Sequence, residues 1–219
     1  SVGTAISGIG SDEFMNDSQL EHLIIRGKDS EATGLPLILE RIAENITVSF
    51  CPNSSSSPES IVFFPEYYEW LDEISPAHIF SRSIHGEGFR MRKSFENGIL
   101  NYRKYDSCLE NAFTVESPES LCKIALNRLR WPSRLEGIFR EKYENVIKKY
   151  MGTAFTLAVK DQDFPMLQFI CEHFSPDASA LASAIDQCIE KEWGEGNAFL
   201  IEAKHKSFSK KTFDFDLDF

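Results

Sequence analysis

The 219-residue sequence is poor in the features on which catalysis, metal binding and membrane insertion usually rest. No apolar run approaches the roughly 18 to 20 residues that a membrane span needs, and no charged-then-apolar segment opens the chain. Neither insertion nor export is therefore expected. Only 5 histidines are present, and no HExxH, GxSxG, Walker or dinucleotide fingerprint stands in a suitable context. The 5 cysteines, Cys51, Cys108, Cys122, Cys171 and Cys188, make an odd count without CxxC spacing, which reads as reduced, buried thiols of cytosol or nucleus. Positive charge is short as well: 23 Lys and Arg stand against 34 Asp and Glu, a net charge of −11. A phosphate backbone is recognised through clustered cations and counterion release, so direct nucleic-acid binding is not expected. The basic clusters 90–93 and 204–211 read as solvated helix faces.

The remaining chemistry is sparse. Cys171 and His173 are two apart on a predicted helix, about 200° around its axis, and cannot readily share a ligand or a proton. The pairs Gly8/Gly10, Gly86/Gly88 and Gly194/Gly196 follow no strand and read as turns rather than phosphate cradles. Sequons at Asn16, Asn45 and Asn53 read as chance, and Ser57 is the Ser-Pro site without a structural role to fill. An enzyme is not expected.

What the sequence does have is apolar and aromatic mass, 42% hydrophobic and 12% aromatic with 18 Phe. That supports a packed globule. The periodicities are helical: Leu20, Leu23 and Ile24 behind a Ser18/Glu21 capping box; Leu35, Ile38, Leu39, Ile42 and Ile46; Tyr68, Leu71 and Ile74 after Pro65; and a new start at Ser75-Pro76. One long helix is expected from Phe95 through Ile99 and Tyr102 to Phe113, across Gly98. Ser117-Pro118 opens another, and Trp131-Pro132 closes it. Leu135 to Tyr150, prolonged toward Asp161, is the expected central helix, followed by helices capped by Asp163 and Asp177. Nothing repeats at a fixed period of 20 to 50 residues. The terminal alternation of Phe213, Phe215, Leu217 and Phe219 with Asp reads as an acidic tail, or as an extended segment able to add to a sheet edge or dock as a peptide. The expectation is an all-α fold, a single helical-bundle domain of about eight or nine helices, with a flexible segment over 1–16, the helical interaction domain over 17–206 and a tail over 207–219.

Function then falls to surplus apolar surface. Phe63, Phe64, Tyr67, Tyr68 and Trp70 crowd one short segment behind the polar loop 51–58, and a helical domain with such surplus offers grooves to partner helices or peptides, or buries it in a homodimer. Leu20, Leu23, Ile24, Phe63, Phe64, Tyr67 and Trp70 are the candidate partner-binding residues. A lone exposed histidine such as His22 can complete a metal site only with ligands from a partner.

The passage from Leu135-Glu136-Gly137-Ile138-Phe139 through Ala158-Val159-Lys160-Asp161-Gln162-Asp163-Phe164 to Cys171-Glu172-His173-Phe174 resembles the central helix and following hairpin of the telomere-repeat-factor homology (TRFH) fold. With the acidic charge and no Myb-type module, the chain is similar to shelterin bridging subunits. The resemblance implies a homodimeric nuclear adaptor at chromosome telomeres that joins a duplex-binding protein to a single-strand-binding one through short peptide segments. It further implies a zinc ion held mostly by the partner peptide and completed by His22. The rival reading is a helical regulatory domain that binds one partner helix or peptide in an unrelated intracellular pathway.

Overall fold

A computed structural model describes residues 2–3, 20–55, 57–74 and 79–213. The chain forms two compact units, residues 1–143 and 144–219. The first is not helical in the way the periodicities imply. Its strands form one four-stranded sheet and two two-stranded sheets, so the all-α, TRFH-like helical bundle is overturned by a mixed α/β fold.

The main sheet runs β1 (Val2–Gly3), β2 (His22–Arg26), β3 (Ile46–Cys51) and β4 (Ser60–Phe64), with β1 and β3 parallel to β2, and β4 antiparallel to β3. The expected first helix is thus strand β2. Leu20, Leu23 and Ile24 do satisfy a helical spacing, but Leu23-Ile24-Ile25 is also an unbroken β-competent run, and sheet pairing with β3 decides between them. The second expected helix is real but brief: α1 (Leu35–Leu39) buries Leu35, Ile38 and Leu39 and ends at Glu40. Ile46 belongs instead to the β-branched start of β3, which is buried at five of its six positions. A parallel neighbour requires a crossover, and α1 lies in the one joining β2 to β3.

Beyond Pro65 the expected third helix is a two-stranded antiparallel ribbon, β5 (Tyr68–Ile74) with β6 (Ile79–His85). The single helix expected over 95–113 is likewise broken. After α2 (Gly88–Arg92), β7 (Phe95–Glu96) turns through Asn97-Gly98 into β8 (Ile99–Leu100). Both turn residues have positive φ, 52° and 80°, the geometry of a type I′ hairpin, for which Asn-Gly is the favoured pair. Helices α3 (Tyr102–Ser107) and α4 (Leu109–Val115) follow.

Helix α5 (Pro118–Arg130) starts where its sequence says it should, with Ser117 Oγ accepting the backbone N–H of Ser120 at 3.1 Å and Pro118 in the first turn. Its buried stripe, Leu121, Cys122, Ala125 and Leu129 among others, packs on β4. Polar groups inside this unit are joined to one another. The Tyr102 hydroxyl donates to Asp29 Oδ2 at 2.8 Å and lies 2.6 Å from Ser60 Oγ, and Asp29 also accepts from Arg134 Nη2 at 3.1 Å. Arg92, 4% exposed, donates to the carbonyls of Pro65, Gly88 and Glu44, and burial lowers its pKa to about 10. Helix α6 (Gly137–Lys149) runs across the division between the units.

The second unit is helical: α7 (Met151–Lys160), α8 (Phe164–Phe174), α9 (Ala178–Glu190) and α10 (Gly194–Phe213). Asp163 and Asp177 cap α8 and α9 through the N–H groups of Met166 (2.9 Å) and Ala180 (2.7 Å). Contrary to the expectation of no repeat, α7–α8 and α9–α10 are two copies of one helical hairpin, 30 residues apart. Gln162 and Glu192 have φ of 48° and 53° at equivalent points of the two turns. The turns make the same backbone bonds: Asp163 N–H to the Ala158 carbonyl and Trp193 N–H to the Cys188 carbonyl, each at 2.9 Å. The expected cap at Ser75-Pro76, the Ser18 cap and the Phe/Asp alternation after Phe213 lie outside the described residues.

Candidate functional site

Strand β5 reads Tyr-Glu-Trp-Leu-Asp-Glu-Ile, and pairing with β6 places Tyr68 opposite His85, Trp70 opposite Ser83, and Leu71 opposite Arg82. Side chains alternate across a strand, so Tyr68 and Trp70 share one face of the ribbon with His85, while Glu69 and Leu71 share the other with Arg82 and Ile84. The first face is held by a Tyr68–His85 ring stack at 4.9 Å, the second by an ion pair between Arg82 and Glu69. Large apolar groups nevertheless stay open to solvent: Tyr68 is 60% exposed, Trp70 56% and Leu71 66%. A two-stranded ribbon has no sheet behind it on which to bury a face, which is why both faces carry exposed side chains.

At the foot of the ribbon is an open cleft of about 770 Å³, lined among others by Tyr68, Ile84, His85, Phe89, Val115 and Glu116. Gly86 forms the corner with φ of 91°, and a Cβ there would stand 2.7 Å from the Glu66 carbonyl oxygen. Gly88 is tighter still, since a Cβ would meet the Pro65 carbonyl oxygen at 1.9 Å. The two glycines keep the start of α2 against the end of β4.

Acidic groups dominate the polar side of the cleft. Glu116 Oε1 accepts the backbone N–H of Glu87 at 2.7 Å, and Arg90 Nη1 lies 3.3 Å from Glu87 Oε1. Burial raises the carboxyl pKa of both Glu87 and Glu116. Glu116 thereby holds the wall, as Ser117 does in capping α5, whereas the buried Glu87 Oε1 has no hydrogen-bond partner among the described residues. The cleft therefore offers an apolar lining of Tyr68, Ile84, Phe89 and Val115 with an acidic side, suited to apolar and basic groups of a ligand.

The sequence candidates are dispersed. Leu23 is buried in β2, with Leu20 and Ile24 half-buried. Phe63 and Phe64 are core residues of β4, 2% and 0% exposed. Tyr67 is half-buried, edge-on to Phe89 with ring centroids 5.4 Å apart, and the Arg92 guanidinium lies 5.1 Å from its ring. Trp70 alone of the set is exposed on the ribbon. His22 sits on β2, its Nε2 2.7 Å from Ser49 Oγ, and burial lowers its pKa. A zinc held mainly by a partner would have to displace Ser49 or use Nδ1, and among the described residues no group of three or more His, Cys, Asp or Glu side chains is placed to hold a metal. Leu71, Ile84, His85 and Val115 are not legible in the sequence as residues of this surface. The available signal was the alternation of Tyr68, Trp70 and Asp72 with charged or apolar neighbours.

No family model matches the chain, and neither a curated protein nor a solved structure does.

Proposed function

We propose that this chain is a non-enzymatic protein-interaction module whose first unit captures a partner segment on the β5–β6 ribbon and the cleft at its foot. The observation that supports this reading is the exposure of Tyr68 and Trp70 together on one face of a short ribbon. Exposed aromatic side chains beside a concave apolar surface are the usual anchors of protein recognition. The acidic side formed by Glu66, Glu87 and Glu116, in a chain of net charge −11, favours a segment that carries apolar residues next to Lys or Arg. The test is a random-peptide display selection on the immobilised full chain, run in parallel on the Trp70→Ala/Leu71→Ser double variant. Peptides with an apolar-basic pattern should be enriched on the first and not on the second, and identical enrichment on both would remove the proposal.

The narrower form of this proposal is a dimeric bridge between duplex-side and single-strand-side telomere proteins in the nucleus, with zinc completed by His22. Its remaining support is the helical passage 135–174, because the all-helical premise no longer holds. Light-scattering mass of the chain with such peptides, with and without zinc, tests it. Zinc-dependent uptake lost in His22→Ala would support it, and a chain that takes up neither peptide would remove it.

A further inference from the structure

The two hairpins of the second unit are alike in backbone and unlike in what covers them. In both copies the turn bonds recur at a 30-residue offset, and so do buried positions: Ala154 and Ala184 are each 0% exposed, Ala158 and Cys188 2% and 0%, Ile170 and Leu200 each 0%. α7 packs on α8 and on α9, and α10 packs on α9 and on α8, so the copies are stacked layers. In stacked repeats each unit is completed by its neighbours, and a layer without one leaves its apolar side open.

That open side is found by comparing equivalent positions. Phe155 and Val159 of α7 are 0% and 1% exposed; their counterparts on α9 are Ile185, half-buried, and Ile189, 58% exposed. Cys171 of α8 is half-buried, whereas its counterpart Ile201 on α10 is 42% exposed. Positions that are buried or half-buried in the first hairpin are thus kept apolar in the second and are more open there. One edge of this face is acidic: Asp186 and Glu190, a turn apart on α9 beside Ile189, are both exposed. That edge is complemented by Lys or Arg on a helix lying against the face.

We propose that the α9–α10 face is a second docking surface, separate from the ribbon, and that its occupant is an α-helical segment of another protein with an apolar stripe flanked by Lys or Arg, lying as the next layer of the stack. The packing already present supplies the probe. α9 fits against α7, so a helix copying α9 should fit against the equivalent surface of α9 itself. The experiment titrates a labelled synthetic helix with the sequence of residues 178–190, carrying Cys188→Ala, Asp186→Lys and Glu190→Lys, into the full chain. Fluorescence anisotropy should show saturable binding that weakens at least tenfold in Ile189→Asp and also in the milder Ile189→Ser, with unfolding midpoints close to the parent's. The same peptide with Asp186 and Glu190 retained should bind more weakly. No saturable binding, or binding indifferent to both Ile189 variants, would overturn the proposal. So would a sedimentation profile showing a dimer that Ile189→Asp dissociates, since the occupant would then be a second copy.

Discussion

Arg128 and Asp106 form a two-pronged ion pair, Nε to Oδ1 at 2.8 Å and Nη2 to Oδ2 at 3.0 Å, with side chains 0% and 1% exposed. Tyr143 adds a third donor, its hydroxyl 2.8 Å from Asp106 Oδ1, and Arg128 Nη2 reaches the Ser133 carbonyl at 3.1 Å. This joins α3, α5 and the start of α6 through groups that have no access to water. Removing one member of such a pair leaves a buried, uncompensated charge, which costs about 3–5 kcal/mol. Arg128→Met should lower the unfolding free energy measured in urea by that amount, and Tyr143→Phe by about 1.5–3 kcal/mol, the loss of one hydrogen bond to a charged acceptor. Equal, small effects for both would mean that the pair is not buried as described.

Gly88 predicts a steric result. A Cβ at this position would overlap the Pro65 carbonyl oxygen and approach Arg92 Nη1 at 2.7 Å, so neither backbone nor a flexible side-chain end can relieve it alone. Gly88→Ala should destabilise by about 1–3 kcal/mol or more, as overpacked sites do. Gly137→Ala is the control, since nothing lies within 4 Å of its added Cβ. Its urea midpoint should stay at or above the parent's.

Acid should act on His22 and Glu87 in opposite senses. Burial lowers the His22 pKa, so the unfolded chain binds the proton more tightly, and the associated stability is present above the unfolded value near 6.5 and is lost as pH falls through the lowered one. Burial raises the Glu87 pKa, so the folded state takes up the proton first and gains stability as pH falls through the raised value. Stability measured against pH should therefore show His22→Asn removing part of the acid loss. Glu87→Gln should stabilise near pH 7, with that advantage vanishing at acid pH. Reversed signs would contradict the desolvation of these two side chains.

The thiols give a fourth check. Burial pushes Cys108 up to about 11, and Cys122 and Cys171 to about 12, leaving little thiolate near neutral pH. Labelling by a thiol-disulfide reagent at pH 8 should be slow for these three in the folded chain and fast in urea.

These features explain which parts of the fold are legible in sequence. The helices of the second half announce themselves because capping is local chemistry: Ser117, Asp163 and Asp177 each bond an N–H three residues on. Strands depend on partners distant in sequence, and the first-half segments fit two periods. Tyr68, Leu71 and Ile74 suit a helix, while Tyr68 and Trp70 suit a strand; pairing with 79–85 decides. Asn97-Gly98 was a readable hairpin signal hidden inside an apparent helical stripe. The repeat is not legible in the sequence because between 151–174 and 181–204 only Ala154/Ala184, Phe169/Phe199 and Glu172/Glu202 are identical pairs, and what the copies share is turn geometry. The ribbon surface was half legible: the aromatic cluster was evident, but Phe63 and Phe64 could be assigned to the core only once β4 was seen beneath α5.

Trp70 on the ribbon and Val115 in the cleft are both exposed, so their substitution should change folding stability by no more than about 0.5 kcal/mol. The most direct measurement is calorimetric titration of the best peptide from the display selection into the parent chain, Trp70→Ala and Val115→Lys, with urea midpoints recorded for all three. At least a tenfold weaker Kd is expected in each variant at unchanged midpoint. Equal affinity for all three chains would contradict the binding proposal.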